Sequence, residues 1–201
     1  ELLKYVDKDR CYTTLSFFDM NRIRIVDTKD LDLGKQHQMV IYWEDALAGK
    51  ISAGRDVRIA EELKVPIIYF AAPVLEEDGG KPIGVVVARY NPKKIQALFD
   101  DFAEEEKEKE GSEFTLTDKD RNVIFSSSAY YKERILKEKM TETPSVLAAS
   151  LGESGVVEEV DPLSKKIAIT SFVKEKGHDD FVGNGWILFS SSDKDEVYSP
   201  I

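Results

Sequence analysis

Cysteine is almost absent from this sequence. Cys11 stands alone, so neither an internal disulfide nor a cysteine-based zinc site can be assembled. Beside the strand-like run Tyr12-Thr13-Thr14-Leu15 it reads as a buried, inert thiol. Histidine is nearly as scarce. His37 and His178 lie far apart, and neither has a His or Cys at metal-ligand spacing. There is no Gly-x-Ser-x-Gly elbow and no phosphate loop. The carboxylate pairs Glu76-Glu77 and Asp179-Asp180 fall in turn-like segments, where solvated charge is the ordinary state. The reading is of a chain that is not itself an enzyme, with no catalytic residue, metal or cofactor.

Positive charge is also in short supply. The 28 Lys and Arg are outweighed by 38 Asp and Glu, for a net charge of -10. That disfavours nucleic acid and anionic membrane surfaces as partners, because phosphate contacts need clustered cations. A long apolar run and a leader segment are missing as well. Glu1-Leu2-Leu3-Lys4-Tyr5 reads as the end of a helix, and Ser199-Pro200-Ile201 closes no element. The expectation is a fragment of a longer protein.

What remains is ordinary globular material. The chain has 201 residues, 42% of them hydrophobic and 33% charged. That is enough for one large domain or two small ones, each with a core. Residues 11–18 and 22–28 read as strands joined by the polar turn Asp19-Met20-Asn21-Arg22. Residues 37–50 carry an apolar stripe at helical spacing that includes Tyr42, Trp43, Ala46 and Leu47. Residues 51–64 look irregular. Val65 to Val74 and Gly84 to Tyr90 are β-prone, the second almost all valine. Asn91-Pro92 is a good helix opening. The helix it starts buries Ile95, Leu98, Phe99 and Phe102 at i, i+3, i+4 and i+7, then dissolves into the charged run 104–110.

After Gly111 the order begins again. Strands at 114–117 and 122–125 flank the turn Asp118-Lys119-Asp120-Arg121. Helices follow at 129–139 and 141–151, then strands at 156–160, 166–173 and 186–189. Three stretches of the first half align with three of the second. Phe18–Arg22 matches Thr117–Arg121, Ile67–Phe70 matches Lys166–Ile169, and Gly84–Val87 matches Gly185–Leu188. Three matches in one order at nearly one offset indicate a duplicated module. Strands joined by short turns, with helices on the faces, make the fold class α+β with mainly antiparallel sheets.

This order of features resembles the double-Cache (tandem PAS-like) sensor domains of bacterial and archaeal receptors. The carriers in the first copy are Asp19-Met20-Asn21, the run Tyr42 to Lys50, Ala72-Pro73-Val74, and Gly84-Val85-Val86-Val87. In the second they are Leu116-Thr117-Asp118, Val123-Ile124 and the ending Gly183 to Phe189. The resemblance implies two PAS-like modules, each a mainly antiparallel sheet flanked by helices, behind a truncated N-terminal helix. Residues 1–110 would be the membrane-distal module with its connecting helix, and residues 111–201 the membrane-proximal one. It further implies a place on the outer side of the cell membrane, anchoring helices outside this sequence, and a homodimer through the N-terminal helix. The parent would be a sensor histidine kinase; a chemoreceptor, a cyclic-dinucleotide enzyme or a ligand-free module sensing a partner protein are the alternatives.

Ligands of such domains sit mostly in the distal module. Strand alternation puts Val85, Val87 and Arg89 on one face, with Tyr69 and Ala71 on the same face of the neighbouring strand. Tyr42 and Trp43 could roof that face, and Arg55 and Arg58 follow on a loop. The candidate ligand-binding set is therefore Tyr42, Trp43, Arg55, Tyr69, Ala71, Val87 and Arg89. The amino-acid-binding subgroup places an Arg where this chain has Val40, and an Asp where it has Arg89. A cation at that place repels an ammonium and attracts a carboxylate. The expected ligand is a small organic anion.

Overall fold

The computed structural model describes residues 12–38, 41–49, 52–53, 57–60, 65–90, 93–107, 112–178 and 183–199. Cys11 lies outside them. The chain divides into two compact units, one of Glu1–Pro92 with Gly177–Val182, the other of Lys93–Lys176 with Gly183–Ile201.

The first unit is an antiparallel sheet. β1 (Tyr12–Asp19) and β2 (Arg24–Asp27) form a hairpin. The short β3 (Ser52–Ala53) and β4 (Arg58–Ala60), within a stretch that reads as irregular in sequence, both pair with β5 (Val65–Leu75). β6 (Pro82–Tyr90) lies between β1 and β5, giving the order β2-β1-β6-β5-β3. One face is covered by α1 (Ile41–Leu47). This helix stops at Leu47, the last residue of its apolar stripe, just before Gly49 takes a φ of 78° that only glycine adopts without strain. Phe18, Trp43, Ala46, Ile67 and Val85 are the centre of the core.

The second unit opens with α2 (Lys93–Lys107), which packs on β7 (Glu113–Thr117) and β8 (Val123–Ser126). Phe99 stacks on Phe125 with centroids 5.7 Å apart. Phe102 is only half-buried at 50%, although its ring reaches Phe114 at 5.0 Å, so the predicted apolar stripe is not sealed along its whole length. The predicted helix at 129–139 ends after one turn, α3 (Ala129–Lys132). α4 (Pro144–Leu151) then covers the sheet. Thr143 caps α4, and buried Glu159 accepts hydrogen bonds from the Ser145 backbone N–H at 2.8 Å and its hydroxyl at 2.7 Å. A carboxylate on the first turn satisfies donors that no helix bond reaches. β9 (Ser154–Val160), β10 (Ile167–Lys174) and β11 (Ile187–Asp193) complete the order β8-β7-β11-β10-β9. A last turn, α5 (Lys194–Val197), follows directly, so the strand runs past Phe189 and the polar tail expected there is largely structured.

The two strand orders are the same once renumbered, and the turns agree bond for bond. Asp19 Oδ1 accepts from the N–H groups of Asn21 and Ile23 at 2.9 and 2.8 Å. Asp118 Oδ1 accepts from those of Asp120 and Asn122, both at 2.8 Å. Arg22 and Arg121 take φ of 66° and 71°. Downstream, His37 N–H donates to the Arg22 carbonyl and Met140 N–H to that of Arg121, each at 2.8 Å. The duplication is therefore one of strand order and of the first turn, while the two strand matches slip: register puts Ile187, not Trp186, in the place of Val85, and Thr170, not Ala168, in the place of Tyr69. No helix among the described residues is long and apolar enough to cross a membrane.

Candidate functional site

Cross-strand register builds the site from the first sheet. Arg89 stands opposite Tyr69 on β5 and Thr14 on β1. Two residues along, Val87 stands opposite Ala71 and Ser16. Residues so paired project to one face. All of them are buried, Arg89 to 3% exposure and Tyr69 to 9%. The alternation predicted for β5 and β6 is what the structure has.

α1 closes over this face. Tyr42 stacks on Tyr69, with centroids 6.1 Å apart and planes 15° from parallel. Trp43 meets the Phe18 ring edge-on at 6.3 Å. His37 hydrogen-bonds the Tyr42 hydroxyl and lies 5.0 Å from the Phe18 ring. The Arg89 guanidinium carbon is 5.9 Å from the Tyr69 ring centre. A cation over an aromatic face gains from the ring quadrupole. Six of the seven candidate residues thus converge on one patch: Tyr42, Trp43, Tyr69, Ala71, Val87 and Arg89. Arg55 lies outside the described residues, as do Val40 and the pair Asp179-Asp180. Arg58 is on β4, with no side-chain position described.

Three residues on this patch were not among the candidates. Arg24 is 3% exposed, 5.1 Å from the Phe18 ring centre, and donates to the Leu31 carbonyl at 2.7 Å. Asp32 approaches it at 3.9 Å. The Lys35 ammonium, hydrogen-bonded to Asp32, holds that carboxyl below its usual range, and the Arg24 and Arg89 charges add to the effect. His37 is the third. The pattern Arg22-Ile23-Arg24-Ile25 points the isoleucines inward, yet Ile25 is 50% exposed and Arg24 is buried. Phe17 pairs with Val26 and Phe18 with Arg24, so Ile25 is an extra residue bulged out of β2, and the alternation reverses there. Two guanidinium groups therefore meet one layer of aromatic rings. Such a layer holds an apolar or aromatic body, and the guanidinium groups favour a carboxylate or phosphate.

The second sheet answers with different chemistry at the same positions. Register places Ser191 where the first sheet has Arg89, and Thr170 where it has Tyr69. Those hydroxyls bond each other at 3.1 Å. Phe172 and Phe189 stand where Ala71 and Val87 stand, filling the middle of the face. At these described positions the second sheet carries no cation and no tyrosine.

No protein-family model and no curated protein matches this sequence. Solved structures do. The sensor domain of the Vibrio cholerae histidine kinase DctB is similar at a TM-score of 0.65 and 15% identity, over 96% of this chain and 76% of that one. The ligand-binding domain of the Campylobacter jejuni chemoreceptor Tlp3, in complex with 4-methylisoleucine, gives 0.67 and 15%, over 100% and 72%. That of the Pseudomonas fluorescens chemoreceptor CtaA, in complex with L-leucine, gives 0.65 and 15%, over 98% and 76%. At this identity the likeness establishes fold alone: the chain has the α+β fold of these sensor and ligand-binding domains.

Proposed function

We propose that this chain is the extracytoplasmic ligand-sensing part of a membrane receptor whose output is a histidine kinase, and that it binds a small organic anion in its first unit. The observation that carries the reading is Arg89, buried over Tyr69 beneath the Tyr42 and Trp43 lid. Tlp3 and CtaA are solved with α-amino acids. A guanidinium at the place where the amino-acid binders carry an Asp favours a ligand that has a carboxylate and lacks the ammonium. Because chemoreceptors stand among the similar structures, a chemoreceptor output is the second reading. In either, the first unit is membrane-distal and the second membrane-proximal. Anchoring helices flank the chain, and two protomers meet through an N-terminal helix. Ligand shifts the receptor only by binding one of its two states more tightly.

The test is a thermal-shift screen of small organic acids, amino acids, amines and osmolytes, run beside Arg89→Ala. At about 100 times its dissociation constant a ligand adds roughly 2.7 kcal/mol to stability. The expected result is a carboxylate hit that Arg89→Ala abolishes. An amine or zwitterion hit indifferent to the substitution would refute the anion site.

A further inference from the structure

We infer that the second unit carries a binding site of its own, for an organic anion with an apolar body, in a cleft of about 660 Å³ between α4 and the sheet. Volumes of this size hold small ligands. The cleft opens at the hairpin end of the sheet for a reason visible in the repeat. Thr117 occupies the position that Phe18 fills in the first unit, as the shared Asp turns show. There the Phe18 ring packs against Trp43. A threonine leaves that space unfilled.

Three observations give the cleft a chemistry. Its floor is apolar, formed by Ile187, Phe189 and Val146, and Leu147 reaches it from α4 while 52% exposed. Its rim carries four cations, Lys119, Arg121, Lys139 and Lys174, against the carboxylates Asp120 and Glu142. In a chain of net charge -10 that local excess of cations runs against the average. Arg121 is held by Glu142 at 2.9 Å. No described carboxylate pairs with the three lysines. The third observation is Thr117, a residue that lines the cleft and is 1% exposed, and whose buried hydroxyl has no hydrogen-bond partner. A buried hydroxyl left unpaired is costly, and a ligand oxygen in the cleft would satisfy it. The occupant is therefore a carboxylate whose apolar part lies along Leu147 and Phe189 and whose oxygens meet the lysines and Thr117.

The test is an amide NMR titration of the whole chain with octanoate and with phenylacetate, using octanol as the uncharged control. Saturable shifts are expected at Lys119, Lys139 and Leu147, with octanol at least tenfold weaker, the loss of a charge contact worth about 1.4 kcal/mol. Lys119→Glu with Lys139→Glu should weaken both acids by tenfold or more while the melting temperature holds. Thr117→Val exchanges the hydroxyl for a methyl group of similar size. It should lower affinity without lowering stability, which a merely structural role would not do. Arg89→Ala should leave this binding unchanged, which separates it from the site in the first unit. Absence of saturable binding by either acid, or equal binding by the doubly reversed variant, would overturn the inference.

Discussion

At the scale of single residues, the chemistry of the first unit turns on charges gathered near one aromatic layer. Asp32 reports on them. Its folded pKa is depressed, first by the Lys35 hydrogen bond and then by the charges of Lys35, Arg24 and Arg89. A depressed carboxyl stabilises the fold above its ordinary value of 3.8, and the contribution is lost as pH falls through the lower, folded value. A carbon-detected titration should therefore place the Asp32 midpoint below 3.8. Lys35→Ala should raise it most and Arg89→Ala less, in the same direction. An Asp32 midpoint indifferent to Lys35 would contradict this account. At this scale the sequence was partly legible. Arg89 could be found because β6 alternates cleanly between valines and a lone cation. Arg24 could not, because Ile25 bulges out of its own strand and reverses the face that its neighbours predict. His37 was weighed only as a metal ligand, and its contact with Tyr42 crosses from a loop to a helix.

Strands and helices were more legible than single contacts, wherever burial made one face apolar. β5, β6, β10 and α4 follow such patterns. β11 was read too short because Ser190, Ser191 and Ser192 look like a tail. They are strand because β10 and β7 flank them on both sides, and Ser192 bonds Ser112 at 2.6 Å. Partners far along the chain decide this, and local pattern cannot show them. The close approach at Gly84 is of the same kind. A Cβ there would lie 2.2 Å from the Phe18 carbonyl oxygen and 2.6 Å from the Phe17 ring. Backbone cannot yield as a side chain can, so Gly84→Ala should cost about 1–3 kcal/mol in urea unfolding. A change within about 0.5 kcal/mol would mean that β1 and β6 slide past each other freely.

For the whole molecule, the repeat was the strongest signal in the sequence, and it carried the fold further than composition did. It could say that one order of strands comes twice. It could not say that the copies had parted in chemistry, since that lies in which residue meets which across the strands: Arg89 with Tyr69 in one, Ser191 with Thr170 in the other. The shared strand order has a consequence for how the chain comes to be folded at all. In each unit the last long strand lies between the first and the one before it, so Tyr12 waits for Tyr90 and Thr117 for Ile187. The early hairpin can form as soon as it is made, but its inner edge stays open until the final strand arrives. Such distant pairing is slow, and an open edge is prone to wrong partners. A chain cut before Ile187 should therefore lose amide-exchange protection across β7 to β10, not at its end alone. Protection retained in β7 would show that the hairpin can stand without its late partner. A chain of this design completes its folding from the last strand backwards, and whatever accompanies the nascent chain must shield the first hairpin until then.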